Sequence, residues 1–288
     1  MSDTTINLRL AMLRGGFRLL EPIAPGFAAR RAASLCVRLP GGAGRRRDDR
    51  PAPGKLSTSF LAGRMIRVES WGSGEPVYLM HGWGGWRGQL GAFIEPLVDA
   101  GFRVVAFDAP GHGGSVPGTI GEGNGCFGEF VDTLRAVVDD HGRPTAVVAH
   151  SFGCAATVAA LGDGMPAGRL VLLAPAVDPM TYVGAVASGF GIGPRTIRRT
   201  VQRIEQQVGR ALTDFDLRTV DPRTLPRTLI ITDRQDREMP HRHAIDLAAG
   251  WSCSELMITD GLGHQRILRD PDVIVRTVDF VQAARGES

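Results

Sequence analysis

A serine at position 151 lies where a buried strand and a helix meet in the sequence. Residues 146–150 read Ala-Val-Val-Ala-His, Gly153 comes two residues after the serine, and small residues continue from Cys154. This order predicts a strand, a sharp turn and a helix, with the serine hydroxyl at the tip of the turn and a helix N-terminus beneath it. A serine placed there can act as a nucleophile, and the same stretch also fits an ordinary strand-to-helix connection.

Two further residue types that a serine nucleophile needs follow later predicted strands. Asp236 lies four residues after a strand that ends at Thr232, and His264 lies five residues after one that ends at Thr259. In a parallel sheet, groups beyond the carboxyl ends of the strands meet at one edge. There an imidazole can take the serine proton, and a carboxylate can fix the imidazole tautomer and stabilise its charged form.

The elements that must position these residues alternate along the chain. The predicted strands are 57–62, 65–71, 77–80, 103–107, 146–150, 170–173, 229–232 and 256–259. Helical patterns between the strands imply right-handed crossovers, so the predicted fold class is α/β, with a mostly parallel twisted sheet of about eight strands and helices on both faces. Residues 176–225 contain no strand pattern, and we expect a small helical cap there, inserted before the acid-bearing strand.

The first 56 residues differ from the rest of the chain. Helical spacing of apolar residues over 6–20 and 27–39 is followed by a linker rich in glycine and proline. We therefore predict a basic helical arm and linker over 1–56, a core over 57–175 and 226–288, and a cap over 176–225. Packing of the arm on the body is the favoured interpretation, with contact to an anionic membrane surface or a protein partner as alternatives.

Composition and charge restrict the class of protein. The chain has 288 residues, of which 43% are hydrophobic and 22% charged, and its net charge is +3; these values fit a soluble globular protein. Eleven basic and four acidic side chains fall in residues 1–60. The arginine run at 45–47 lies in a loop without interleaved aromatic residues, which indicates a solvated charge run rather than a nucleic-acid site.

The cysteines indicate a reducing compartment. Cys36, Cys126, Cys154 and Cys253 are far apart and form no C-x-x-C pair, which disfavours a zinc site or a disulfide framework. No apolar run reaches the length of a transmembrane segment, and arginines interrupt every candidate signal-peptide core. We expect a cytoplasmic protein. No metal or other cofactor is predicted.

Five motifs in order resemble those of the α/β-hydrolase family, in particular its capped serine hydrolases of the esterase and lipase-like group. They are H-G-W-G-G at 81–85, F-D-A-P-G-H-G at 107–113, A-H-S-F-G at 149–153, D-R-Q-D-R-E-M-P at 233–240 and G-L-G-H at 261–264. The resemblance covers about residue 58 to the end, and the chain order Ser, Asp, His is that of the family. It implies Ser151 as nucleophile, His264 as base and Asp236 as acid. It also implies an oxyanion hole made by the backbone N–H groups of Trp83 and Phe152.

Several positions depart from the family pattern. Ala149 replaces the first glycine of G-x-S-x-G, and Asp233 stands where the family commonly has glycine. Asp233 is therefore a second candidate for the acid, and Asp178 is a third because some relatives carry the acid there. Asp236 is preferred because Pro240 keeps the family's spacing.

A serine at the nucleophile position disfavours the epoxide and carbon–halogen chemistry of related aspartate enzymes. Apolar residues of the predicted cap favour a modest apolar acyl or alcohol group; they are Val183, Val186, Phe190 and Ile192. We expect a carboxylesterase-like serine hydrolase acting on a small-molecule ester or thioester. A carbon–carbon bond hydrolase is an alternative enzyme. A ligand-binding or interaction protein on a hydrolase scaffold is the alternative outside enzymes, and no oligomeric state is predicted.

Overall fold

The computed structural model of the chain describes residues 3–40 and 47–286. Its strands are β1 (Lys55–Leu61), β2 (Arg64–Trp71), β3 (Pro76–Met80), β4 (Arg103–Phe107), β5 (Ala146–His150), β6 (Arg169–Leu173), β7 (Arg227–Asp233) and β8 (Ser254–Thr259). Its helices are α1 (Asp3–Ile23), α2 (Pro25–Cys36), α3 (Ile94–Asp99), α4 (Phe127–His141), α5 (Phe152–Gly162), α6 (Pro179–Phe190), α7 (Pro194–Val208), α8 (His241–Gly250), α9 (Gly263–Arg266) and α10 (Pro271–Gln282). Short 3-10 helices include Arg87–Phe93, just before α3, and Leu212–Phe215.

The eight strands form one open sheet in the order β1-β2-β4-β3-β5-β6-β7-β8. β1 and β2 pair antiparallel, as do β2 and β4, and the other pairs are parallel. Every residue of β5 and β6 is buried, as expected for central parallel strands that are covered on both faces. The predicted α/β fold with a mostly parallel sheet of eight strands is confirmed.

Local backbone geometry fixes where two of the helices begin or end. Helix α7 ends at Val208, because Gly209 adopts φ 71 and ψ 14 and caps it in the left-handed conformation. Residues Arg87–Phe93 form a 3-10 helix, and α3 begins only at Ile94.

The chain divides into two compact units. We call residues 1–38 and 178–214 the helical unit; it contains α1, α2, α6 and α7. We call residues 39–177 and 215–288 the sheet unit; it contains all eight strands. The helical insertion expected before the acid-bearing strand is therefore present between β6 and β7. The predicted boundaries of arm, core and cap stay a prediction.

The two N-terminal helices and the insertion share one apolar cluster in the helical unit. It contains Phe17 of α1, Ala28 of α2 and Ile192, which follows α6, and Val186 and Phe190 pack against it. Of the apolar side chains expected to favour an apolar substrate, three thus stabilise the helical unit itself.

Part of the predicted linker is held in place by the sheet unit. The Asp49 N–H donates to Gly88 O at 3.0 Å, and the indole N–H of Trp71 donates to Ala52 O at 2.7 Å. The Gly54 N–H donates to a carboxylate oxygen of Glu69 at 2.9 Å. Residues 41–46, with two arginines of the basic run, lie outside the described residues.

The described helices include none that is both long and apolar enough to cross a bilayer.

Candidate active site

The strand, turn and helix expected around Ser151 are present, and the turn is backbone-strained. Ser151 has φ 53 and ψ −122, a conformation that residues other than glycine rarely adopt. Its N–H donates to Leu173 O at 2.9 Å, and its carbonyl accepts the N–H of Ala176 at 3.2 Å. Neighbouring β6 and the segment after it therefore hold the turn between β5 and α5.

Small residues let the backbone approach this turn closely. A Cβ atom on Gly153 would lie 2.5 Å from the carbonyl oxygen of His81, and one on Gly82 would lie 2.9 Å from Ser151 Cβ. Both contacts are closer than side-chain carbons tolerate. Ala149 is completely buried, and the structure accommodates its methyl group. The departure from G-x-S-x-G thus falls on the less crowded of the two glycine positions.

His264 contacts Asp236, the preferred of the three candidate acids. The two side chains are buried, with 2.8 Å between His264 Nδ1 and Asp236 Oδ2. The other carboxylate oxygen, Oδ1, accepts the backbone N–H groups of Glu238 and Met239, each at 2.8 Å. Because a carboxylate accepts here, a neutral imidazole carries its proton on Nδ1 and leaves Nε2 as a proton acceptor.

Asp233, the second candidate acid, supports the loop that carries His264. Its buried carboxylate accepts the N–H groups of Leu262 at 3.0 Å and Gly263 at 2.8 Å, and the hydroxyl of Thr259 at 2.7 Å. It also accepts the N–H of Gln235 at 2.9 Å. The pKa of Asp233 lies below its usual range, because these hydrogen bonds outweigh the opposing effect of burial.

Asp178, the third candidate, caps a helix in the helical unit. Its carboxylate accepts the N–H of Met180 at 2.8 Å at the start of α6. This bond is a typical N-cap interaction.

His150 connects the Ser151 turn to His264. Its Nε2–H donates to the carbonyl oxygen of His264 at 3.1 Å, and the two rings are 4.6 Å apart. Burial holds the pKa of His150 well below 6.5, so the ring is neutral. The structure therefore brings His264 against the residue that immediately precedes Ser151.

Two neutral histidines join the 81–85 loop to the 107–113 loop. His81 Nε2 accepts the N–H of Ala109 at 3.1 Å, and His112 Nε2 accepts the N–H of Gly84 at 3.1 Å. Burial lowers the pKa of His81 to about 4 and that of His112 to about 3. Both acceptor nitrogens would be lost on protonation, so the link between the loops requires uncharged imidazoles.

A buried ion-pair network lies under the same loops. Asp108 accepts the backbone N–H of Arg87 at 2.7 Å and pairs with its guanidinium group. Arg87 also pairs with Glu69 at 2.7 Å, and the Asp108 carboxylate accepts the N–H of Gly114 at 2.7 Å. Asp108 therefore supports the loops near the Ser151 turn from below.

Trp83 and Phe152 lie together, each with a half-buried side chain. Their ring centroids are 6.0 Å apart, and Phe152 also lies 5.0 Å from Phe127 and 5.4 Å from Phe215. Phe152 is the first residue of α5. Its N–H therefore has no earlier helical carbonyl to pair with and can donate to a ligand.

Two grooves in the sheet unit connect the His264 and Trp83 regions. One, of about 370 Å³, is lined by His264, Glu238 and Gln265, among others. The other, of about 270 Å³, shares Glu238 and Gln265 and includes Trp83. Glu238 Oε2 lies 3.8 Å from His264 Nε2. Glu238 is not among the residues predicted from the sequence, although its position two residues after Asp236 is a usable signal.

Comparison with known proteins identifies the family of this chain. The sequence profile described as "Alpha/beta hydrolase family" matches residues 77–277, which is more than half of the chain. Solved structures that match its fold include an esterase and a lipase. An esterase from Exiguobacterium antarcticum has a TM-score of 0.60 and 18% identity and covers 80% of this chain and 99% of its own. A monoacylglycerol lipase from Paleococcus ferrophilus has a TM-score of 0.60 and 22% identity, with coverages of 76% and 99%.

Sequence relatives match over shorter segments. A non-heme chloroperoxidase of Kitasatospora aureofaciens is 40% identical over 93 residues, which are 31% of this chain and 31% of that protein. A probable serine hydrolase of Drosophila melanogaster is 29% identical over 168 residues, or 57% of this chain and 44% of that protein. The chain thus spans less than half the length of the curated relatives it matches.

The buried histidines His81 and His112 predict that the stability of the folded protein falls in acid. Their folded-state pKa values, about 4 for His81 and about 3 for His112, lie below the unfolded value, so the unfolded chain binds protons first. The free energy of unfolding should be highest above pH 6.5 and should fall as the pH drops toward 4, by up to about 1.4 kcal/mol per pH unit for each histidine. Urea unfolding between pH 7.5 and 5 measures this slope.

Two variants test the assignment. His112→Gln and His81→Gln should each reduce the pH slope relative to the wild-type protein. An unchanged slope in His112→Gln contradicts the account.

Proposed function

Because this chain belongs to the α/β-hydrolase family, we propose that it is a serine hydrolase. In this proposal it cleaves a small to medium, apolar carboxylic ester or thioester through an acyl-serine intermediate, with Ser151, His264 and Asp236 as its catalytic triad. The observation that carries the proposal is the 2.8 Å contact between His264 Nδ1 and Asp236 Oδ2 beside the strained backbone of Ser151. A buried acid–imidazole pair near a serine at a strand-to-helix turn is the arrangement that activates a hydroxyl.

Acylation begins when His264 Nε2 takes the proton of the Ser151 hydroxyl. The serine oxygen attacks the substrate carbonyl carbon, and the carbonyl oxygen becomes negatively charged. The N–H groups of Trp83 and Phe152 donate to this oxyanion, which they bind more strongly than the ground-state carbonyl. His264 then gives its proton to the leaving alcohol or thiol, and an acyl-Ser151 ester remains.

Deacylation repeats the sequence with water. His264 takes a proton from the water as the water oxygen attacks the acyl carbon. Collapse of the second tetrahedral intermediate returns the proton to Ser151 and releases the carboxylic acid. Asp236 stabilises the imidazolium at both stages and keeps Nε2 directed toward the reacting groups.

The aromatic residues of the sheet unit support an apolar group on the substrate. Trp83 and Phe152, the proposed oxyanion donors, carry half-buried rings that rest on the buried rings of Phe127 and Phe215. An acyl or alcohol chain that covers these rings would remove apolar surface from water. The name of one relative, a probable serine hydrolase, also favours hydrolysis at a serine.

We further propose a cytoplasmic location for the enzyme. All four cysteines are free, which suits a reducing compartment. Cys36, Cys126 and Cys154 are buried, and burial raises the pKa of each of these thiols above the usual 9.0.

Replacement of Ser151 by alanine is the first test. The variant lacks the nucleophilic oxygen, so kcat for chromogenic p-nitrophenyl esters should fall by about 10⁴–10⁶-fold. The rates for acyl chains of increasing length define the size of the acyl site. Ester hydrolysis that is unchanged in Ser151→Ala rejects the proposal, and folded protein that hydrolyses no ester favours the binding-protein alternative.

Substitutions of Asp236 and Asp233 distinguish the catalytic aspartate from the one that supports the His264 loop. Asp236→Asn should lower kcat by about 10²–10⁴-fold with little loss of stability, because an amide no longer fixes the imidazole tautomer. Asp233→Asn should lower the free energy of unfolding by about 1–3 kcal/mol, because it removes charge-assisted hydrogen bonds, while kcat stays within about tenfold of wild type. Steady-state kinetics and urea unfolding of both variants measure the contrast. The reverse pattern would identify Asp233 as the acid.

A further inference from the structure

The helical unit carries an exposed apolar stripe along α1. Met12, Leu19 and Ile23 are 69%, 70% and 80% exposed. Since each residue turns an α-helix by about 100°, positions 12, 19 and 23 fall on one line along it. Phe17, which belongs to the apolar cluster of the helical unit, lies well around the helix from this line. α1 therefore has a second apolar side that the described residues of its own unit leave exposed.

The stripe ends at a corner where cationic side chains begin. α1 ends at Ile23 and α2 begins at Pro25, and Phe27 in the first turn of α2 is 43% exposed. The guanidinium groups of Arg30 and Arg31 each lie 5.7 Å from the centre of the Phe27 ring. Exposed apolar and cationic groups thus meet at one corner, which we call the α1–α2 corner and define as Leu19, Ile23, Phe27, Arg30 and Arg31.

The charge of the helical unit is strongly positive. Its residues include eleven basic and five acidic side chains, whereas the sheet unit has 22 basic and 25 acidic ones. Between residues 4 and 47 the sequence contains one acidic residue, Glu21. The carboxylate of Glu21 accepts the N–H of Arg195 at 2.9 Å and the hydroxyl of Thr196 at the start of α7. This carboxylate is therefore hydrogen-bonded to the N-terminal end of α7.

We propose that the α1–α2 corner docks on the surface of an anionic phospholipid bilayer. Leu19, Ile23 and Phe27 enter the interfacial region, and Arg30 and Arg31 pair with lipid phosphates. An apolar stripe with flanking arginines is the pattern by which helices bind in the plane of a membrane without crossing it. A second copy of the chain fits the corner less well, because it would bring two strongly positive units together.

Sedimentation with lipid vesicles tests the docking of the full-length protein. The chain should bind vesicles with about 30% phosphatidylglycerol in phosphatidylcholine, and binding should weaken as salt screens the arginines. It should bind pure phosphatidylcholine much more weakly. Leu19→Ser/Ile23→Ser should lower the partition coefficient at least about tenfold, because interfacial burial of the two side chains is lost. Arg30→Gln/Arg31→Gln should lower the partition coefficient on the anionic vesicles by roughly 30-fold. This corresponds to a loss of about tenfold or less for each arginine.

Phe60→Ser/Val275→Ser is the matched control. These two side chains are 63% and 58% exposed and belong to the sheet unit, so their loss should leave vesicle binding unchanged. Circular dichroism shows whether each variant is folded. If the Leu19→Ser/Ile23→Ser protein is unfolded, the Arg30→Gln/Arg31→Gln variant provides an independent test.

Four results overturn the proposal. The first is the absence of binding to anionic vesicles, and the second is equal loss of binding in the Phe60→Ser/Val275→Ser control. The third is a wild-type dimer that Leu19→Ser/Ile23→Ser converts to a monomer without affecting vesicle binding, which would identify the stripe as a self-association surface. Binding that depends on the arginines but not on Leu19 and Ile23 also contradicts docking by insertion and indicates a general polyanion surface.

Discussion

The backbone conformation of Ser151 is the constraint on which the arrangement of the sheet unit depends. A positive φ at a serine costs on the order of 1–3 kcal/mol and persists only where the surroundings enforce it. Here hydrogen bonds to Leu173 and Ala176 hold the turn, and the lack of side chains at Gly82 and Gly153 lets the neighbouring backbone approach it. The burial of β5 and β6 supplies the rigidity that makes this possible, so the strain at one residue is maintained by the core of the whole sheet.

Around that turn, the charged aspartates and the neutral histidines have different structural roles. Asp233 and Asp236 are three residues apart, but one accepts the N–H groups of the His264 loop and the other contacts the His264 imidazole. His81 and His112 join two loops only while they are uncharged, which their burial ensures. The site thus combines the contact between Asp236 and His264 with neutral histidines and an ionised Asp233 that hold the surrounding loops.

The sequence predicted the sheet well because buried parallel strands have a distinct apolar pattern. It also placed Ser151, Asp236 and His264 after the carboxyl ends of strands, where topology alone brings side chains together. It could not choose firmly between Asp233 and Asp236, because that choice depends on which way a short loop turns each carboxylate. It also could not assign Val186, Phe190 and Ile192 to the core of the helical unit, because amphipathic spacing reveals an apolar face but not the surface that covers it.

Covalent labelling of Ser151 by a fluorophosphonate tests the central claim most directly, because the reagent reports an activated serine whatever the natural substrate is. After incubation of the folded protein, intact-mass analysis should show one adduct, and peptide mapping should locate it on Ser151. Heat-denatured protein should remain unlabelled, since activation requires the assembled imidazole and oxyanion donors. Folded protein that stays unlabelled, or that is labelled at another residue, contradicts the account.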